Sequence, residues 1–246
     1  MPYLKEIKFM WEKVKKLESY PFNIKSLQNI SSIKLNKNVT FFVGENGSGK
    51  STLLEAIADN CGFAVKGGGR GSTLYSDVDD LSLSSIILLS WLPKIRSGFF
   101  LRAETFFDFA SYIDELAQDP MEGNEAYIPY GGKSLHRQSH GEAFLSLLTN
   151  RFNSRGIYIL DEPESALSPQ RQLALLRIIW QLEKSGKAQF LIATHSPILM
   201  AYPNADIYSL DETPLKAINY EDTQHYQVTK DFLNNRERFL NELFQE

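Results

Sequence analysis

Eight consecutive residues, Gly44-Glu45-Asn46-Gly47-Ser48-Gly49-Lys50-Ser51, match the phosphate-cradling pattern G-x-x-x-x-G-K-[ST] at every fixed position. Glycines at 44, 47 and 49 let backbone N–H groups turn onto phosphate oxygens, which a Cβ would obstruct. Lys50 supplies a point charge, the Ser51 hydroxyl can ligate Mg²⁺, and Thr52 follows in the first turn of the expected helix. With the loop empty, the Lys50 side chain is expected in solvent. A second constellation is Asp161-Glu162 at the end of the apolar run Ile157-Tyr158-Ile159-Leu160. A strand end there puts two carboxylates at the ligand-binding edge of an open sheet, Asp161 toward a metal and Glu162 as base for an attacking water. His195 ends another apolar run, Gln189–Thr194, from which its ring can reach a terminal phosphate. The chemistry these types and spacings imply is binding of a nucleoside triphosphate with Mg²⁺, followed by hydrolysis.

The elements that must position them can be read around the motifs. Val39–Val43 is a buried strand feeding the glycine loop, and a helix runs from Lys50 to about Ala58. Leu4–Phe9 alternates as a strand, and Phe22–Ile24 and Ile33–Leu35 read as two more, giving a mostly antiparallel edge on a parallel core. Tyr20 and Phe22 stand where the chain can fold back over a bound base. Either ring can stack on adenine, and Phe22 suits core packing equally. The run Leu81–Leu92 is too short to span a bilayer and reads as a core helix; Asp77–Gln138 reads as largely helical around a strand at Gly98–Arg102. A second glycine cluster, Gly67–Ser72 with Arg70, lacks a strand–loop–helix setting and reads as a loop. Pro169–Lys184 reads as a helix with Leu173, Leu176, Ile179 and Trp180 inward. Ile207–Leu210 reads as the last core strand. Val228, Phe232, Phe239 and Leu243 then mark the packing face of a C-terminal helix.

The whole is an α/β chain of 246 residues, 43% of them hydrophobic, with net charge −4. That balance offers no bulk attraction to nucleic acid. The single cysteine, Cys61, excludes an internal disulfide and, with no signal-peptide pattern at residues 1–9, points to the cytoplasm; no membrane segment is evident.

Ser139-His140-Gly141-Glu142 precedes the apolar helical run Ala143–Leu148. Ser139 with Glu142 reads as a capping box, and equally as a helix N-terminus presented to an anion. With this motif added, the ordered set Gly44–Ser51, Ser139–Glu142, Ile157–Glu162, Ser165–Ser168 and Thr194-His195 resembles an ATP-binding-cassette (ABC) ATPase domain. These would be its phosphate loop, signature, Walker B strand, D-loop and H-switch. Gly98–Glu104 and Gln138–Glu142 look closest to small stand-alone bacterial ABC-type ATPases of the SMC and RecF-like branch. The resemblance implies a P-loop fold over residues 1–246: a mixed central sheet with an antiparallel N-terminal edge (about 1–76 and 151–246) and a small helical lobe (about 77–150). It also implies ATP and Mg²⁺ as ligands, with Lys50, Glu162 and His195 catalytic and Ser51 and Asp161 on the metal. ATP would be sandwiched in a head-to-tail homodimer, in which Ser139, Gly141 and Glu142 face the partner's nucleotide. Two departures stand out. The signature is Ser-His-Gly-Glu rather than Ser-Gly-Gly-Gln, and no glutamine follows Gly98–Arg102, where Arg102 or Glu104 takes the Q-loop position. Work in DNA maintenance or phage defence, with nucleic acid or a second protein as partner, stands against the energising subunit of a membrane transporter and a nucleotide-gated module without turnover.

Overall fold

The computed structural model describes residues 1–64, 82–118, 123–152 and 155–244. The Gly67–Ser72 cluster with Arg70 lies outside them. Nine strands are described: β1 Leu4–Phe9, β2 Ser32–Lys34, β3 Val39–Val43, β4 Ile87–Trp91, β5 Gly98–Arg102, β6 Gly156–Asp161, β7 Ala188–Ala193, β8 Asp206–Ser209 and β9 Lys216–Ala217. The described α-helices are α1 Lys50–Cys61, α2 Phe106–Leu116, α3 His140–Arg151, α4 Pro169–Lys184, α5 Pro197–Met200, α6 Gln224–Asn234 and α7 Arg236–Leu243.

The central sheet has the order β5-β6-β7-β3-β8-β9, parallel except for the β8–β9 pair. Every residue of β3, β6 and β7 is buried, as expected of strands covered on both faces. Alternation sorts their side chains. Phe41, Tyr158, Leu160, Phe190 and Ile192 pack toward α2, α3 and α4, while Phe42, Ile157, Ile159 and Leu191 pack toward α1 and the second sheet. On the first face Phe152 stacks on Tyr158 with centroids 4.2 Å apart. The second sheet is antiparallel, order β2-β1-β4. The fully buried amide of Gln189 on β7 fastens the two sheets: it accepts from the N–H groups of Tyr3 (3.0 Å) and Leu4 (2.8 Å) and donates to the Leu4 carbonyl (2.9 Å).

Several expectations are corrected. Of the run Leu81–Leu92, the described part is no core helix. It is a 3₁₀ turn, Leu83–Ile86, leading into β4, whose pairing with β1 satisfies its backbone. Its apolar stretch Ile86–Leu89 is too short to show a period that separates strand from helix. Phe22–Ile24 is a turn rather than a strand. Within Asp77–Gln138 the only α-helix among the described residues is α2; the rest is β4, β5 and 3₁₀ turns at Leu83–Ile86, Gly123–Tyr130 and Leu135–Arg137. Of the expected inward set on α4, Ile179 is buried and Leu176 packs against the core, but Leu173 (58%) and Trp180 are exposed, and Gln172 and Leu175 are buried instead. Gln172 is admitted to the interior because it donates to the Leu167 carbonyl (3.1 Å) and accepts from the Ser196 hydroxyl. β9 follows β8. The C-terminal helix is two helices, and neither buries a residue.

Candidate functional site

The phosphate loop leaves β3 at Gly44 and enters α1 at Lys50. Its geometry needs glycine most clearly at two positions. Gly49 has φ +102°, and a Cβ there would lie 2.7 Å from Ile24 Cγ2. Gly47, at φ +80°, faces open space. Lys50 is not solvated as expected. It is 3% exposed, and its ammonium donates to the carbonyls of Gly44 (2.8 Å) and Glu45 (3.0 Å), curling back over its own loop. Burial lowers its pKa, while the carboxylates of Glu162, Asp161, Asp211 and Glu164 act in the opposite sense. The Glu45 N–H is held by Asp211 Oδ1 at 2.7 Å, and the Ser48 hydroxyl oxygen is buried with no partner. A buried orphan oxygen inside a nest of N–H groups fits an anionic ligand.

At the end of β6, Asp161 is 2% exposed and accepts from the Ser51 hydroxyl at 3.1 Å. Burial pushes its carboxyl up to about 6, against the pull of Arg102. A buried, paired Ser–Asp set suits Mg²⁺, which takes one or two protein oxygens and completes its shell with phosphate and water. Among the described residues no group of three or more His, Cys, Asp or Glu is placed to hold a metal. Arg102 ends β5. Its Nε lies 3.5 Å from Asp161 Oδ2 and its Nη2 3.0 Å from Glu104, and it also pairs with Glu55.

Glu162 follows in the left-handed region, φ +48° and ψ +52°, a conformation a glutamate rarely adopts. The turn aims its half-exposed carboxylate at His195, with Oε1 3.4 Å from Nε2. His195 stands just after β7, its backbone N–H given to Glu164 Oε1 (2.5 Å) and its Nδ1 2.9 Å from Nε2 of His225. Burial and the Lys50 ammonium lower the His195 pKa, and Glu162 raises it. At neutral pH the ring is therefore neutral.

Two clefts share Ser51 and Glu162 in their linings, and His195 lines neither but lies beside Glu162. A cleft of about 580 Å³ is lined by Tyr20, Ile24, residues 46–52, Glu162 and Asp211. A second, of about 400 Å³, is lined by Ser51, Arg102, Glu104, Asp161, Glu162 and Ser165. Tyr20 is 67% exposed and hydrogen-bonded to Thr52 across the cleft rim (2.8 Å). Phe22 is 3% exposed in the core behind the loop, so its ring cannot meet a base; this corrects its expected role.

Ser139, Gly141 and Glu142 line neither cleft. Glu142 accepts from the Ser139 N–H (3.1 Å), the capping arrangement of α3, and Arg171 of α4 reaches both Ser139 Oγ (3.3 Å) and Glu142 Oε1 (3.4 Å). A Cβ on Gly141 would come within 2.4 Å of the Arg171 guanidinium. The motif is thus tied to α4 through Arg171. Sequence reasoning missed Arg171, Glu164, Asp211 and His225. Asp211 had a signal, since it directly follows a strand beside β3; His225 had none beyond being one of four histidines.

Two family models match this chain. One, described as "AAA domain", covers residues 22–97, and another, described as "AAA domain, putative AbiEii toxin, Type IV TA system", covers residues 136–201. Among curated proteins, the ABC-type transporter oblD of Aspergillus clavatus is 25% identical over 184 residues, 68% of this chain but 12% of that protein. The chain therefore spans only a small part of the fungal transporters it matches. The lipoprotein-releasing system ATP-binding protein LolD of Buchnera aphidicola is 24% identical over 211 residues, 76% of this chain and 89% of LolD. Among solved structures, cbiO1 of Clostridium perfringens, part of the ABC transporter complex cbiONQ, superposes with a TM-score of 0.52 at 17% identity, over 98% of this chain and 100% of that one.

Proposed function

We propose that this chain, which has the fold of an ABC-type ATPase domain, binds ATP with Mg²⁺ and hydrolyses it in a head-to-tail dimer. The observation that carries the reading is the placement of Lys50, Ser51 and Glu162 on the cleft below the glycine loop, with Asp161 on the adjoining cleft that shares Ser51 and Glu162, and with His195 3.4 Å from the Glu162 carboxylate. Ser51 and Asp161 hold the metal, which neutralises phosphate charge when bound. Lys50 leaves the Gly44 and Glu45 carbonyls for phosphate oxygens. Glu162 takes a proton from the attacking water, and His195 donates from Nε2 to the terminal phosphate. Tyr20, on the rim, covers the base. Ser139 and Gly141, which line neither cleft, serve the partner's nucleotide.

The test is phosphate release with and without Mg²⁺ for the parent and Glu162→Gln. Magnesium-dependent turnover in the parent, with an ATP-held dimer accumulating in the variant, supports the reading; a parent without turnover overturns it. The match to a model whose description names a toxin of a Type IV toxin–antitoxin system supports a defence role over DNA maintenance. A transporter-energising role is favoured by the LolD match, which covers most of both chains. Against it stands Arg102, engaged with Glu55, Glu104 and Asp161 where such subunits carry a coupling glutamine. Among the described residues no helix is long and apolar enough to cross a membrane; co-purification with a membrane protein would support the transporter reading.

A further inference from the structure

We propose that His225, on helix α6, is a positioning residue that fixes the His195 tautomer so that Nε2 carries the proton and turns it toward Glu162 at the edge of the site. The inference rests on the reading of His195 as a phosphate contact and adds a residue that no motif includes. His195 Nδ1 and His225 Nε2 are 2.9 Å apart, with ring centroids 4.8 Å apart and planes at 64°. One nitrogen must donate and the other accept. If His195 donated from Nδ1, its Nε2 would present a bare lone pair to the Glu162 carboxylate 3.4 Å away, two acceptors facing each other. If His225 donates, His195 keeps its single proton on Nε2, which faces Glu162 Oε1 favourably and offers a donor to an anionic oxygen. His195 Nε2 is buried and has no hydrogen bond of its own, as a donor held for an incoming ligand would be. Lys50, Glu162 and Glu164 are the other charged groups around the His195 ring.

The fold supports His225 from behind. It lies in the first turn of α6. The turn is anchored by Thr223, 1% exposed, whose hydroxyl donates to the Tyr220 carbonyl (2.8 Å). The Tyr220 hydroxyl in turn donates to the carbonyl of Pro197, two residues beyond His195 (3.0 Å). Both histidines are therefore mounted on one hydrogen-bonded corner, and α6 becomes part of the site.

The test reads the tautomer directly, by long-range ¹H–¹⁵N correlation on ¹⁵N-histidine-labelled protein without nucleotide at pH 8. Single substitutions assign the four histidines. The parent should show His195 protonated at Nε2. His225→Ala should shift it toward Nδ1–H, and His225→Gln, whose amide N–H can replace the donor, should restore Nε2–H. In steady-state kinetics His225→Ala should lose about tenfold or more in kcat with KM for ATP nearly unchanged, and Gln should recover much of it. A parent His195 protonated at Nδ1, or an unchanged tautomer in His225→Ala, overturns the proposal. Because the spectra are taken without nucleotide, they decide the tautomer whether or not the chain hydrolyses ATP; full activity in His195→Ala would sink the parent reading instead. Should His225→Ala not fold, the parent and Gln spectra still decide.

Discussion

Glu162 sits at φ +48° and ψ +52°, and replacing it should move stability and activity in opposite directions. A β-carbon in the left-handed region costs about 1–2 kcal/mol, a cost asparagine largely escapes through its short polar side chain. Glu162→Asn should thus recover about 1 kcal/mol from the backbone, or roughly 2–4 °C in melting temperature for a chain of this size. The charge adds little net effect: Glu162 crowds the Asp161 and Glu164 carboxylates but also attracts the Lys50 ammonium. Hydrolysis, deprived of its base, should fall by ~10²–10⁴-fold. Glu162→Gln separates the two effects, because it removes the base and the charge without easing the backbone. It should match Asn in lost activity while melting within roughly 1 °C of the parent. The assays are calorimetric melting without nucleotide and phosphate release at saturating ATP·Mg²⁺. An Asn variant that melts below the parent, or one that still turns over at the parent rate, refutes the idea that this turn holds strain in the service of catalysis.

Further outcomes follow from the same geometry. Lys50→Ala should abolish ATP binding by calorimetry and, because the ammonium ties the Gly44 and Glu45 carbonyls, should speed hydrogen exchange of the loop amides without nucleotide. Unchanged affinity would remove the lysine from the site. Tyr20→Ala should weaken ATP by about 0.5–1.5 kcal/mol with little effect on stability. Phe22→Ala should instead cost about 3–5 kcal/mol of stability, a contrast visible by pairing titration with denaturant melts. Burial pushes the Cys61 thiol up to about 12, so native protein at pH 8 should react with a disulfide reagent about a thousandfold or more slower than the unfolded chain. Since the folded thiol holds its proton more tightly, its stabilisation is complete below pH 9 and lost as pH rises toward 12; Cys61→Ala should flatten that slope.

The chemistry was far more legible than the packing. Gly44–Ser51, Asp161-Glu162 and His195 announce themselves because function demands particular residue types at strand ends, and β3, β6 and β7, which lead to them, are buried along their whole length. Where burial alone decides, the sequence is ambiguous. Gln172 and Leu173 are adjacent on α4, and a buried hydrogen-bond partner put the polar one inside. Val228 and Leu243 mimic a packing face yet are 54% and 69% exposed. The Lys50 ammonium looked solvated because its acceptors are carbonyls of its own loop, which no side-chain pattern reveals. The His195–His225 pair joins residues from different elements, invisible to any local motif.

The central claim is a site shared between two chains, and mixing two inactive variants tests it most directly. Lys50→Ala disables the phosphate loop. Ser139→Arg blocks the outward-facing cap of α3, where Arg171 already adds positive charge. In a mixed dimer one site carries both lesions and the other neither. Hydrolysis should therefore return on mixing, to about a quarter of the parent rate if subunits pair at random and sites act independently. Mixed dimers seen by native mass spectrometry with activity still at background, or a parent fully active as a monomer, would contradict the shared site.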